Sequence, residues 1–114
     1  MYRVRKFENK YKNVKTEVNG ITYHSKLEGK YAFELNARKL AHEIEDWERQ
    51  VKISLDVGTR HICNYYIDFV VHHFDGITEY IEVKGFETEV WRLKWKIFEA
   101  LYSDLPMTRL TIIK

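Results

Sequence analysis

The chain predicts one α/β domain of 114 residues, a mixed β-sheet flanked by two helices in the order arm–hairpin–α–β–β–β–α–β. Three observations carry that expectation. Two β-branched and aromatic runs, residues 67–71 and 80–83, lie on either side of Asp75-Gly76 and read as a β-hairpin. Two segments of helical period, each opened by a capping residue, frame the strands. A last short apolar run follows the second helix, and a right-handed crossover would set it parallel to the Glu82 strand.

Taken in order, residues 1–13 read as an irregular arm, with Tyr2, Phe7 and Tyr11 available to dock it. Residues 14–18 and 21–24 flank Asn19-Gly20, the strongest short hairpin signal. Ser25 opens the first helix with Glu28 as its capping-box partner. Leu27, Tyr31, Phe33, Leu35 and Leu40 give that helix an apolar face through about Ala41. Residues 44–47 begin an extended stretch, in which Val51, Ile53 and Leu55 alternate with Lys52, Ser54 and Asp56 as in a half-buried strand. Gly58-Thr59 turns the chain into the central hairpin. Thr88 caps the second helix, where Trp91, Lys94, Trp95, Phe98, Leu101 and Tyr102 follow at helical spacing, and Pro106 ends it. Residues 110–113 form the final strand. The chain thus divides into residues 1–24, a basic N-terminal arm and hairpin, and residues 25–114, the core.

Composition narrows the functional classes. An apolar content of 45% with 15% aromatics excludes a disordered chain. The net charge of +2 is unevenly spread: Arg3, Arg5, Lys6, Lys10, Lys12 and Lys15 face only Glu8 in residues 1–15, while the remainder is mildly acidic. A basic arm of this kind suits a polyanion such as DNA, although a solvated terminus would carry the same charge. Cys63 is the sole cysteine, which rules out an intrachain disulfide and fits a reducing cytoplasm; it reads as a small hydrophobe. No apolar run reaches membrane-spanning length and residues 1–24 lack a signal-peptide centre, so a cytoplasmic protein with no membrane partner is expected.

Charge also appears where buried strands should exclude it. Asp68 interrupts the first arm of the central hairpin, and Glu82 and Lys84 interrupt the second. Ionised groups are expensive there unless paired or bound to a metal. Glu82 and Lys84 are two apart and leave one face of their strand. Two hard carboxylates suit Mg²⁺ or Mn²⁺, and an ammonium beside them would orient a water or stabilise a developing anion. Metal-assisted phosphodiester hydrolysis needs that set. Other candidates read as structural. His72 and His73 are adjacent and point to opposite faces. Trp91, Trp95 and Phe98 read as core, and Arg92, Lys94 and Lys96 as a solvated helix face. Tyr66 shares the Asp68 face; Gln50 reads as a surface glutamine, with support of the carboxylates as its other open role.

The D…ExK pattern of Asp68, Glu82 and Lys84, with Gly85 closing the second strand, resembles the PD-(D/E)XK nuclease superfamily. Within it the likeness is to small phage-encoded members. These are a phage family with SKLE, IDF and EVKG segments in this order, and the phage endonuclease I group of Holliday-junction resolvases. The likeness spans residues 23–113. It implies a restriction-endonuclease-like nuclease core over residues 25–114, acting as a metal-dependent endodeoxyribonuclease on DNA, branched DNA included, as a homodimer. It further implies that Glu28 joins Asp68, Glu82 and Lys84 in the catalytic set, and that Glu28, Asp68, Glu82 and the Val83 backbone carbonyl hold the metal. The motif's proline is replaced by Ile67. A non-catalytic nucleic-acid-binding module, or a nuclease subunit of a transposase or restriction-type complex, remain the alternatives.

A shared site constrains strand register. A two-residue Asp75-Gly76 turn would pair Asp68 with Val83 and put it on the face opposite Glu82. A common face therefore predicts a bulge or an odd loop. The loop would be Phe74-Asp75-Gly76, with Gly76 left-handed and Asp68 across from Glu82.

Overall fold

The computed structural model describes the backbone of residues 4–8, 14–18 and 21–23, and residues 25–114 with their side chains. Seven strands and two helices are formed among them. β1 (Val4–Glu8), β2 (Val14–Val18) and β3 (Ile21–Tyr23) precede α1 (Lys26–Leu40). β4 (Asp46–Val57), β5 (Arg60–His72) and β6 (Thr78–Val83) follow, then α2 (Glu89–Tyr102) and β7 (Thr108–Ile113). The first three strands make an antiparallel sheet; the last four make a mixed sheet in the order β4-β5-β6-β7. Only β6 and β7 run parallel, joined by the crossover through α2. Neither described helix is long and apolar enough to cross a membrane.

The arm departs from expectation. Val4–Glu8 is a strand, not irregular chain, and pairs along its whole length with β2, from Val4–Val18 to Glu8–Val14. The physical reason is that an isolated two-stranded hairpin is marginal in water, and a third strand satisfies its open edge. The β2–β3 pairing closes at Val18–Ile21 as a hairpin about positions 19 and 20 requires, though Asn19-Gly20 lie outside the described residues. So do the placements of Arg3, Lys10 and Lys12, and the side chains of Arg5, Lys6 and Lys15. The proposed docking by Tyr2, Phe7 and Tyr11 lies outside them as well.

The mixed sheet is sandwiched between the helices. On one face Ala32 and Leu35 of α1 pack with Ile44, Phe69, Val71, Ile81 and Val83. On the other Trp91, Trp95 and Phe98 of α2, at i, i+4 and i+7, pack with Leu55, Tyr65, Ile67 and Val70. Both N-cap side chains act as read, Ser25 Oγ accepting from Glu28 N at 3.0 Å and Thr88 Oγ1 from Trp91 N at 3.1 Å, but the reciprocal half of the Ser25/Glu28 capping box is not made, because the Glu28 carboxyl turns to Gln50 instead. Leu40 and Leu101, read as apolar-face residues, are instead exposed. Leu40 is the last residue of α1, and Leu101 lies off the stripe that Trp91, Trp95 and Phe98 set.

Two details of the sheet matter for function. The β5–β6 connection is the odd loop: His73 N donates to Ile77 O at 2.9 Å, and Gly76, with φ +91°, closes Phe74-Asp75-Gly76. The pairing His72–Thr78 to Phe69–Ile81 then brings Asp68 level with Glu82. The second detail is a reversal of side-chain facing. Tyr65 and Ile67 face α2, whereas Phe69 and Val71 face α1; in β4, Val51 and Ile53 face α2, whereas Trp47 faces α1. Strict alternation would put each odd-numbered set on one face. Both strands switch at one level, where Gln50 falls opposite Asp68, and Gln50 has φ +51°.

Replacing Gly76 tests the loop. A Cβ there would sit 3.1 Å from Met107 Cε and in a left-handed backbone. Gly76→Ala is expected to lower stability by roughly 1–2 kcal/mol, mostly from the backbone because the methionine end can shift. Denaturant titration of both proteins checks this.

Candidate active site

The register that the odd loop sets, the facing switch and the start of α1 together shape one cleft. Its lining is Ser25, Glu28, Asp68, Val83, Lys84, Gly85 and Phe86, and it holds about 270 Å³. Each predicted side chain arrives from a different element. Glu28 comes from the first turn of α1, Asp68 from the middle of β5, Glu82 from β6, and Lys84 from just beyond the end of that strand. Glu28 and Asp68 line the cleft, whereas Glu82, 1% exposed, lies beneath it.

Asp68 is the centre of this arrangement. The β5–β6 ladder ends at Phe69–Ile81, and beyond it Asp68 Oδ2 takes the Val83 N–H at 2.9 Å. A charge-assisted bond thus replaces a main-chain one and ties Asp68 to the strand that carries Glu82 and Lys84. Its other oxygen, Oδ1, accepts from Gln50 Nε2 at 3.3 Å. The same nitrogen reaches Glu28 Oε1, also at 3.3 Å. The two readings of Glu28 are therefore divided between its atoms: the backbone N–H completes the Ser25 cap, while the carboxyl turns into the cleft.

Glu82 is the least satisfied group. Neither of its oxygens receives a hydrogen bond, and the Lys84 ammonium 3.4 Å from Oε2 is an ion-pair contact only. Lys84 Nζ lies 5.2 Å from the Trp91 ring centroid, a cation–π distance. Trp91 is held in turn by its Nε1 donating to Tyr65 Oη at 3.1 Å. Burial first, and then the charge of Glu82, push the Tyr65 phenol well above its ordinary range, so it stays protonated beside that carboxylate.

Burial dominates the electrostatics of both glutamates. Desolvation, and after it the charge of Asp68, push the Glu28 carboxyl up from 4.5 to about 7. Glu82 rises to about 7 for the same two causes in the same order, with Lys84 opposing. The oxygen-only donors and the unsatisfied Glu82 carboxylate suit a hard divalent cation. Among the described residues, however, no three acidic, histidine or cysteine side chains are placed around a single point that would hold one. An amide nitrogen stands between Glu28 and Asp68 instead.

The remaining candidates fall away from the cleft. His72 pairs with Glu48 at 2.7 Å and His73 with Glu79 at 2.8 Å, on different partners as their opposite facing requires. Tyr66 is exposed, Cys63 is partly buried, and Trp95 and Phe98 are core. Arg92 and Lys96 line a separate shallow depression on α2. Of the two roles left open for Gln50 the structure shows contact with the carboxylates and not the surface position that the sequence favoured, since it bridges two carboxyls; no local signal marks a glutamine bent to +51° inside a strand. That backbone costs about 1–3 kcal/mol, and such strain gathers where geometry is fixed for function. Tyr65 and Phe86 were likewise missed, the first for resembling any core aromatic and the second for lying in a loop.

The raised carboxyls give a pH prediction. A carboxyl whose folded pKa lies above its unfolded value binds protons more tightly when folded. Stability from Glu28 and Glu82 is therefore full below about 4.5 and is lost as pH rises to about 7. Glu82→Gln mimics the protonated acid. It is expected to be more stable than the parent at pH 8, by on the order of 2 kcal/mol, and little different at pH 4.5. Thermal melts of the cation-free proteins at the two pH values test this; equal stability at pH 8 would contradict it.

With this geometry in hand, comparison with known proteins adds the family and nothing further. No curated protein and no solved structure matches the chain. Residues 8–114 match the family described as protein of unknown function (DUF1064), and over that span the chain belongs to it.

Proposed function

We propose that the protein is a metal-dependent endodeoxyribonuclease of the PD-(D/E)XK type, its mixed sheet and two helices forming a restriction-endonuclease-like core. One observation carries the reading. Glu28, Asp68 and Lys84 line one cleft, and Glu82 lies beneath it beside Lys84, its oxygens buried without a hydrogen-bond donor. A fold with no use for that charge would be more stable without it.

On this reading Glu28, Asp68, Glu82 and the Val83 carbonyl would hold Mg²⁺ or Mn²⁺. When bound, the ion lowers the pKa of a water and offsets the charge of a phosphodiester. The chain's own groups do the rest. Val83 N–H and Gln50 fix both oxygens of Asp68, so its carboxylate is preset. Lys84 is steered by Glu82 on one side and the Trp91 ring on the other, and points its charge toward the cleft it lines. A point charge so placed stabilises the anion that builds on the phosphate as the water attacks. The basic residues Arg3, Arg5, Lys6, Lys10, Lys12 and Lys15 would contact DNA phosphates. Action on branched DNA by a homodimer in the cytoplasm, as the phage resolvase likeness implies, belongs to the same proposal.

Incubation with linear, flapped and four-way DNA in Mg²⁺ or Mn²⁺ tests the function. Cleavage that stops with chelator is expected, and Asp68→Ala, Glu82→Ala and Lys84→Ala should each lower it by at least about a hundredfold with the fold retained. DNA binding without cleavage in either ion would favour the non-catalytic module instead. Replacing Arg3, Lys10 and Lys12 by alanine should weaken binding and flatten its dependence on salt. The log–log slope should fall by about 0.9 for each phosphate that is no longer neutralised. An unchanged slope would take these residues off the DNA.

A further inference from the structure

Gln50 is set apart by three independent features. It has φ +51° in the middle of the twelve-residue strand β4. It lies opposite Asp68, at the level where β4 and β5 both reverse their facing. Its Nε2 donates to Glu28 Oε1 and Asp68 Oδ1 at equal distances of 3.3 Å, linking a helix carboxyl to a strand carboxyl. A glutamine side chain free to reach solvent has no need of a left-handed backbone.

An amide NH₂ has two N–H groups and can serve one carboxylate with each. Placed between two acidic groups, it supplies the positive ends of two dipoles where a cation would supply a full charge. We propose that Gln50 is the positioning residue of this carboxylate pair: its amide bonds Glu28 Oε1 and Asp68 Oδ1 in the cation-free protein and stays on them when a divalent cation is bound, so the two carboxyls keep a fixed spacing and orientation toward it. The inference rests on the metal-site reading above but not on DNA being the substrate. Groups that orient metal ligands without being the principal ligands typically carry a 10–100-fold effect on metal affinity.

Two substitutions separate the amide from the backbone. Gln50→Gly removes the amide and also accepts φ +51° without strain, so its melting temperature should equal or exceed that of the parent. Gln50→Ala removes the amide and keeps the strained Cβ. Calorimetric titration of the full chain with Mn²⁺, in the absence of DNA, reads the affinity of each. Both variants are expected to bind Mn²⁺ about 10–100-fold more weakly than the parent, the glycine variant despite its undiminished melting temperature. A folded Gln50→Gly protein with the parent's Mn²⁺ affinity would overturn the proposal. So would a Gln50→Gly protein that fails to fold, since Gln50 would then be holding the strand rather than the carboxyls. A parent that takes up no Mn²⁺ at millimolar concentration removes the metal site and this inference together. If the affinity contrast holds but no DNA is cut, the nuclease reading falls and the role of Gln50 stands.

Discussion

Burying three carboxyl groups within a few residues' reach of one another is the constraint around which this fold is arranged. Each of Glu28, Asp68 and Glu82 is less than a tenth exposed, and an ionised carboxylate taken out of water loses more than any single hydrogen bond returns. The molecule answers in three ways. It commits a main-chain donor, Val83 N–H, to Asp68 rather than to the ladder. It sets an amide between Glu28 and Asp68. It sets the Lys84 ammonium and the Tyr65 hydroxyl beside Glu82 and still lets its pKa rise to about 7. These measures reduce the penalty without removing it.

The apolar layers make that penalty tolerable and fix the site's shape. Because α1 and α2 cover opposite faces of the sheet, Asp68 sits at the boundary between two cores rather than inside either. Phe69 is clamped by Tyr31 and Trp47 with ring centroids 5.6 and 5.8 Å away, immediately after Asp68. Ile67, immediately before it, is fully buried against the α2 layer. Sheet residues anchored on both sides to opposite layers have little freedom to drift, which gives the Asp68 carboxylate a rigid base. On the α2 side, Trp91 and Trp95 stack at 6.0 Å, and Trp91 then supports Lys84, so core packing runs directly into the charged site.

What could be read in advance follows from how local each signal is. Ser25 and Thr88 announced the helix starts because a cap acts over three residues. The odd loop was deducible because side chains alternate: Asp68 and Glu82 share a site only if their connection shifts the register by one, and Gly76 was present to accept the left-handed turn. Val4–Glu8 hid as an arm because its strand character lies in its partner, β2, and not in an alternating pattern of its own. Gln50 could not be decided between its two readings for a stronger reason. Its role depends on Glu28, 22 positions before it, on Asp68, 18 positions after it, and on a backbone angle that no neighbouring residue dictates. The motif residues themselves were legible because charge inside an apolar strand is improbable without a use.

The same charges set an order of events on the nuclease reading. At the cleft three carboxyl groups stand against the Lys84 ammonium, the Arg49 guanidinium whose charge acts on Glu28, and the start of α1, whose unpaired backbone N–H groups carry a partial positive charge. A phosphodiester approaching that cleft while the carboxyls are ionised meets like charge at short range, and the low dielectric below Asp68 strengthens the repulsion. The basic residues of the first 15 positions would hold the DNA backbone nearby without bringing a phosphate into the acidic centre. A divalent cation changes the sign of the balance. With it in place Glu28 and Glu82 would be held as ionised carboxylates, and the net charge that a phosphate meets beside Lys84 would no longer be negative. Cation first and phosphate second is therefore the sequence that the electrostatics favour. Binding of DNA to the arm and binding of its scissile phosphate to the cleft are then separate steps, of which only the second needs the ion.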